Sequence, residues 1–266
     1  MHRLFMNIAH RGFSARYPEN TIAAFRAALE LGCTWLETDV RRTPDGVLVL
    51  LHDATVNRTT NGTGAVAELS WEEVSRLDAG SWKGKQFRGE GIPTLRDLLA
   101  FVSQRAQVVV ELKLPVAHVR EVVELVGDVD AFDWTVASAF EWEVVLRVRE
   151  TAPRWRTTWL TAFKDTTPDE AISRCVAAGV DTLAPLAAHT DRSLVQKAHG
   201  AGLLVRCWGL GDDRGPEMRR LVNLGVDGMT TNHPDALMAL TRVTGASCAA
   251  GAAGSTCLPD MGQGSP

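Results

Sequence analysis

The sequence predicts an α/β fold of the (β/α)8, or TIM barrel, class with a small insertion after the second strand. Three observations predict it: short β-rich runs that alternate with longer helical segments, a repeated helix-glycine-strand join, and a length of 266 residues. That length is close to the roughly 250 residues of a single such barrel. Strands are read at Asn7–His10, Trp35–Arg41, Val108–Lys113, Thr135–Ser138, Thr157–Thr161, Thr182–Pro185, Leu204–Trp208 and Gly228–Thr231. Strands alternating with helices make a parallel sheet with crossover helices. Eight of them favour a closed barrel over the runner-up, an open doubly wound sheet.

The helices carry their own start and stop signals. Asn20 is read as the cap of the first, which places Ile22, Phe25 and Leu29 at helical spacing, with Glu19 favouring its positive end. Pro168 starts another through Ile172 and Val176. Gly32, Gly179, Gly202 and Gly225 stand at four stop positions, and after the last three a strand follows within a few residues.

Residues 53–92 break this repeat. They are rich in Thr, Gly and Trp and hold one clear helix, announced by the capping box Ser70-Trp71-Glu72-Glu73. So long a connection without barrel elements reads as an insertion over the barrel mouth, in which Trp82 and Phe87 are expected to serve a local core. The next barrel helix is expected to start at Thr94, with Asp97 three residues on. The domain reading is a barrel over residues 1–244 and a flexible tail over 245–266, where Gly, Ala, Ser and Pro dominate without an apolar period.

Composition sets the class. Apolar residues at 45% and charged residues at 23% can build a full core, which excludes a disordered chain. A formal net charge of −4 with scattered Lys and Arg leaves no basic stripe, so no nucleic-acid partner is expected. Apolar runs such as Val47–Leu51 fall far short of the ~20 residues that cross a bilayer. His10 and Arg11 arrive before an export signal could form, and five cysteines, without a C-x-x-C pair, indicate neither a disulfide framework nor a thiolate zinc site. A cytoplasmic location is the expectation.

The chemistry is concentrated at strand ends. Residues i and i+2 of a strand share a face about 7 Å apart, so Glu37 and Asp39 point the same way from an otherwise apolar strand. Two like charges facing a lumen repel unless something positive sits between them. Glu111 repeats the geometry after Val108-Val109-Val110, with Lys113 two residues on. Three oxygen ligands and no thiolate suit one hard divalent cation, Mg²⁺ or Ca²⁺. The bland alternative for each acid is a lumen salt bridge, for example with Lys113.

His10 and Arg11 end the first strand and run into Gly12, where the backbone can turn sharply. His52 follows the apolar run after the turn Pro44-Asp45-Gly46, so a hairpin-like extension of the second strand delivers it. Two histidines beside a cation can do paired acid and base work, while Arg11 and Lys113 hold phosphate. These parts describe phosphodiester cleavage. His2, His118, His189, His199 and His233 are read as structural.

These residues resemble the glycerophosphodiester phosphodiesterase family. The matching stretches are Ala9-His10-Arg11-Gly12, Pro18-Glu19-Asn20-Thr21, Glu37-Thr38-Asp39, His52 to Gly64, Leu77 to Trp82, Ile92-Pro93-Thr94-Leu95 and Glu111-Leu112-Lys113, with coverage from about Ile8 to Gly228. The resemblance implies a TIM barrel with a small insertion, a divalent metal, and hydrolysis of a small-molecule glycerophosphodiester to glycerol 3-phosphate and an alcohol. It also implies metal ligation by Glu37, Asp39 and Glu111, acid–base roles for His10 and His52, phosphate contacts from Arg11 and Lys113, and a pocket lined by Trp208. The chain departs from the family pattern at Gly209-Leu210-Gly211, at Ala139-Phe140, and at Asn232, where Asp is often found.

Other chemistries remain in play at this point. A lysophospholipase D would follow if the insertion exposed an apolar docking surface. A Schiff-base aldolase would use Lys113. A non-catalytic binding barrel would be expected to have lost a member of the His and carboxylate set, and none is missing.

Overall fold

The computed structural model describes residues 5–212 and 215–244. In chain order the strands are β1 (Met6–His10), β2 (Trp35–Arg42), β3 (Leu48–Leu50), β4 (Gln107–Leu112), β5 (Thr135–Ala139), β6 (Thr157–Thr161), β7 (Thr182–Pro185), β8 (Leu204–Cys207) and β9 (Gly228–Thr231). All except β3 are parallel neighbours around a closed ring, because β1 pairs with both β9 and β2. The expected eight-stranded barrel is therefore formed. The addition is β3, which folds back antiparallel on β2 with Val40 opposite Leu50. Gly46 turns this hairpin at φ 93°.

The helices are α1 (Ile22–Leu31), α2 (Trp71–Val74), α3 (Leu95–Val102), α4 (Val119–Asp128), α5 (Trp142–Thr151), α6 (Pro168–Ala178), α7 (Arg192–Gly200), α8 (Pro216–Leu224) and α9 (Pro234–Thr244). Each barrel strand is followed by one of them, and α2 stands apart in the long connection. The capping boxes at Ser70 and Thr94 form as expected, and Pro168 opens α6 behind a third box built by Thr167 and Glu170. Gly32, Gly179 and Gly225 close their helices in the left-handed conformation. The cap of α1 is Thr21, whose hydroxyl accepts from Ala24 N, and not Asn20. A hydroxyl suffices for that bond, which frees the neighbouring amide for a different task.

Strand parity sorts the core. Leu36, Val40, Val108 and Val110 face the helices and join one large apolar cluster with Phe25, Leu95 and Leu98. On the opposite face, Met6, Ile8, Val109 and Val136 form an apolar floor inside the barrel, with Trp35 and Leu204 packed on it. The next inward residues on these strands are His10, Glu37, Glu111, Ser138 and Arg206. The polar layer thus lies one pleat above a dry floor, at the carboxyl ends where barrel sites form.

The connection between β3 and α3 has its own small core of Val56, Val66, Val74, Ala79 and Ile92 against Val49 and Leu51, with Trp71 packed on it. The aromatics expected there behave otherwise. Trp82 is 37% exposed, and half-buried Phe87 leans on Tyr17 with ring centroids 5.3 Å apart. Aliphatic side chains already fill the small space, so the larger rings are left at its edge. Lys83 ties this connection to the mouth by donating to the Ser14 carbonyl at 2.7 Å. The readings for His2 and for a tail over 245–266 lie outside the described residues.

Candidate active site

The site starts from the registers of β1, β2 and β4. His10 lies opposite Glu37, and Asp39 lies opposite Glu111. These neighbouring strands bring carboxylate oxygens of Glu37, Asp39 and Glu111 within 4.8 Å of one another. All three residues are buried, at 2%, 0% and 8% exposure. Burial and the neighbouring acids push the Glu37 carboxyl well above its ordinary range, and burial together with Asp39 also raises Glu111. Burial would raise Asp39 too, but Arg11 and Lys113 outweigh it and hold this carboxyl low.

Arg11 and Lys113 are the near cations. Arg11 Nε stands 3.0 Å from Asp39 Oδ2, and its backbone N–H donates to Glu37 Oε2 at 3.0 Å. That bond exists because Arg11 takes the left-handed conformation at φ 55°. Gly12 follows at φ 79°, where a Cβ would come within 2.5 Å of the Ala24 carbonyl carbon. Lys113 Nζ lies 2.7 Å from Glu111 and 3.5 Å from Asp39. The lumen salt bridge of the bland alternative is thus present, but Glu37 Oε1 is buried without a hydrogen-bond partner. An orphaned carboxylate oxygen in an all-oxygen cluster fits a hard cation, which Glu37, Asp39 and Glu111 could hold.

The two histidines sit on either side. His10 donates from Nδ1 to Asn232 Oδ1 at 2.6 Å, and its Nε2 faces Glu37 Oε2 at 3.8 Å. Burial, then Arg11, lower its pKa to about 4. His52 follows β3, and Arg41 holds its carbonyl with two donors at 3.0 and 2.7 Å. Its Nδ1 donates to Asp53 Oδ1 at 2.7 Å. Asp53 in turn accepts from Arg58 at 2.6 Å, and Arg58 grips Glu19 with two donors at 2.9 and 2.8 Å. Glu19 also accepts from Arg11 at 2.8 Å. One chain of charges therefore runs from the first imidazole's neighbour to the second imidazole.

All the expected site residues meet here. His10, Arg11, Glu37, His52, Glu111, Lys113 and Trp208 line a single cavity of about 280 Å³, and Asp39 lies beneath it in the acidic cluster. Trp208 is fixed by donating from Nε1 to the Ala184 carbonyl at 3.0 Å, and it meets Phe140 edge-to-face at 4.8 Å. Sequence reasoning missed Asn20, Glu19, Asp53, Arg58 and Arg206. Asn20 donates to Asp39 Oδ2 at 2.9 Å and accepts from the Thr38 hydroxyl at 2.8 Å. The signal for Glu19 and Asn20 was their place in Pro18-Glu19-Asn20-Thr21; Arg206 had none.

Fold and mouth together define a (β/α)8 barrel with a buried acidic cluster flanked by cations and two imidazoles, the class of barrel that handles phosphate esters. Comparison with known proteins makes this specific. The model of the glycerophosphoryl diester phosphodiesterase family matches residues 10–236, and the chain belongs to that family. A glycerophosphodiester phosphodiesterase of Caldanaerobacter subterraneus subsp. tengcongensis is 34% identical over 243 residues, which is 90% of this chain and 98% of that one. Among solved structures, a glycerophosphodiester phosphodiesterase of Agrobacterium tumefaciens superposes with a TM-score of 0.77 at 31% identity, covering 87% of this chain and 98% of its own. A phosphodiesterase of Oleispira antarctica, solved in complex with the product sn-glycerol-3-phosphate, gives a TM-score of 0.80 at 27% identity over 88% of this chain and 96% of that one. The protein is an enzyme of this family.

Proposed function

We propose that the protein hydrolyses glycerophosphodiesters to glycerol 3-phosphate and an alcohol, with one divalent cation, Mg²⁺ or Ca²⁺, held by Glu37, Asp39 and Glu111. The observation that carries the reading is the three buried carboxylates within 4.8 Å of one another beside two imidazoles and two cationic side chains. When bound, the cation would offset negative charge building on the phosphoryl oxygens. Arg11 and Lys113 hold the phosphate, Arg11 through paired donors and Lys113 as a point charge.

The surroundings of the imidazoles divide the proton work. With its Nδ1 proton committed to the neutral Asn232 amide, half-buried His10 stays uncharged and keeps the Nε2 lone pair free to take a proton. The Nδ1 bond to the Asp53 carboxylate fixes the His52 ring, and we assign to this imidazole the protonation of the leaving oxygen. Trp208 and Phe140 border the space left for the substrate. The Schiff-base reading of Lys113 has little support: burial opposes its charge, yet Glu111 and Asp39 outweigh it and keep the amine protonated. The lysophospholipase D alternative asks for an apolar surface on the insertion, where Trp82 is 37% exposed, and Phe140 beside the mouth is 40% exposed. A cytoplasmic setting remains part of the reading, since Cys175 and Cys207 are buried free thiols. No helix of the described residues is long and apolar enough to cross a membrane.

The test is release of glycerol 3-phosphate from a panel of glycerophosphodiesters, with lysophosphatidylcholine alongside and the metal varied. Activity lost to chelator and restored by Mg²⁺ or Ca²⁺ is expected. Chelator-resistant turnover would overturn the metal role, and faster cleavage of the lysolipid would transfer the assignment to lysophospholipase D.

A further inference from the structure

Arg206 is a buried charge that the reading above does not use. It sits on β8, two residues before Trp208 on the same face, and is 3% exposed. Its guanidinium crosses the lumen: Nη1 donates to Thr230 Oγ1 on β9 at 2.8 Å, and Nη2 donates to Ser138 Oγ on β5 at 3.2 Å. Ser138 is the register partner of Glu111, so the charge ends in the layer of the carboxylates. Arg206 lines the same cavity as Glu37 and Glu111, its Nε has no hydrogen-bond partner, and among the described residues it forms no ion pair.

A buried arginine without a carboxylate partner is costly to keep, and hydrogen bonds to two hydroxyls do not repay the desolvation. Something else in the lumen must favour it, and the acids that its charge reaches are Glu37 and Glu111. Arg11 and Lys113 differ from it in one respect. Both are partly open to the cavity, with side-chain exposures of 15% and 17%, and can turn from the carboxylates to a phosphate. Arg206 cannot turn, being held on both sides.

We infer that Arg206 is a built-in counter-charge beneath the acidic cluster, which weakens its hold on a divalent cation and in exchange strengthens binding of the phosphoryl group. It acts through the carboxylates and is thus a positioning residue. The inference rests on the proposed cation role of Glu37, Asp39 and Glu111. With those acids ionised, Arg11, Lys113 and Arg206 balance them in number. A divalent cation and a phosphodiester monoanion then leave one positive charge, which a second negative charge developing on the phosphoryl oxygens cancels. Without Arg206 the same pocket is left negative at that point.

The two halves of this trade move in opposite directions, and a merely structural role would not produce that. The experiment is calorimetric titration of Mg²⁺ or Ca²⁺, and separately of glycerol 3-phosphate, into the wild type, Arg206→Met, Arg206→Gln and Arg206→Lys, with kcat and KM measured in parallel. Arg206→Met and Arg206→Gln are expected to bind the cation at least about tenfold tighter and the product about tenfold weaker, with reduced kcat, as removal of one like charge in a low-dielectric site requires. Arg206→Lys should stay near the wild type on all readouts. Should Arg206→Met fail to fold, Arg206→Gln still decides, because it keeps a polar hydrogen-bonding group in the lumen while losing the charge. Unchanged or weaker cation binding in a folded neutral variant overturns the inference. Absence of cation binding to the wild type overturns instead the cation reading on which it rests.

Discussion

His10 Nδ1 and Asn232 Oδ1 are 2.6 Å apart, and the same amide oxygen accepts from the Ser14 hydroxyl at 3.1 Å. Two donors converge on one oxygen, which orients the amide and places the His10 proton on Nδ1. The neutral partner adds no negative charge, so burial and Arg11 are free to lower the pKa to about 4. A carboxylate at this position would favour the imidazolium. Asn232→Asp is therefore expected to move the acid limb of kcat/KM upward by about one pH unit, since a nearby opposite charge shifts a pKa by that order. A pH–rate profile of the two proteins checks it, and coincident acid limbs would remove His10 from the proton-accepting role.

Asp53 and Arg58 control the other imidazole. Hydrogen bonds from Arg58 hold Asp53 well below the usual carboxylate range, burial opposing, and so keep it ionised against His52. Asp53→Asn would remove that charge but keep a side chain of the same shape. We expect kcat to fall about 10- to 100-fold with a small change in KM, within what a positioned proton donor contributes. Steady-state kinetics read this directly; an equal fall through KM alone would point to substrate binding instead.

Cation binding and pH are linked through the raised carboxyls. In the cation-free protein, Glu37 and Glu111 titrate above their unfolded values, so the stability they contribute is complete below the ordinary carboxylate range and is lost as pH rises through their folded values. Asp39 is shifted the other way, and its contribution is lost only as pH falls through its depressed value. A cation binds the ionised forms, so its stabilisation must grow as pH rises above the ordinary carboxylate range and through the raised values of Glu37 and Glu111. Thermal unfolding with chelator and with excess cation should show a Tm gap that widens over this range. A gap independent of pH would mean that the cation binds elsewhere.

Much of this was legible in the sequence, for identifiable reasons. Glu37 and Asp39 interrupt an apolar strand at i and i+2, and Glu111 does the same on the strand that becomes its neighbour, so parity alone put them on one face. The join of helix, glycine and strand repeated often enough to count the barrel. What escaped had no period to carry it. Arg58 meets Glu19 across 39 positions of chain, and a single arginine between Val205 and Cys207 looks no different from a strand end facing solvent. Trp71, and not Trp82, packs on the small core.

The sharp exit from β1 rests on Gly12. An alanine there would have to hold φ 79° and place a methyl 2.5 Å from the Ala24 carbonyl carbon and 2.7 Å from its Cβ. Left-handed strain and overpacking each cost about 1–3 kcal/mol. Gly12→Ala is expected to destabilise by about 2–4 kcal/mol on denaturant unfolding, and to lower activity further because the Arg11 N–H would swing off Glu37. A variant of wild-type stability would show that α1 can yield without disturbing the mouth.

Asn20 was taken for a helix cap because Asn ranks above the neighbouring Thr as a cap, yet its side chain does something no cap needs. Its φ of 57° turns the amide away from α1 and onto β2. There Nδ2 donates to Asp39 Oδ2 while Oδ1 accepts from the Thr38 hydroxyl. Residues 38 and 39 point to opposite faces of the strand, so one amide spans both and locks the rotamer of a proposed metal ligand. Asn20→Asp would set a carboxylate against Asp39, and Asn20→Ala would leave Asp39 and Thr38 short of one buried partner each. Unmade buried hydrogen bonds cost about 1–3 kcal/mol, so Asn20→Ala should lose about that in unfolding free energy. The cap at Thr21 is untouched, so the helical circular dichroism of the folded protein should not change. Cation affinity, measured by calorimetry, should fall about 10- to 100-fold, the usual penalty for freeing a group that orients a ligand. Loss of stability with unaltered cation affinity would return Asn20 to a purely structural role.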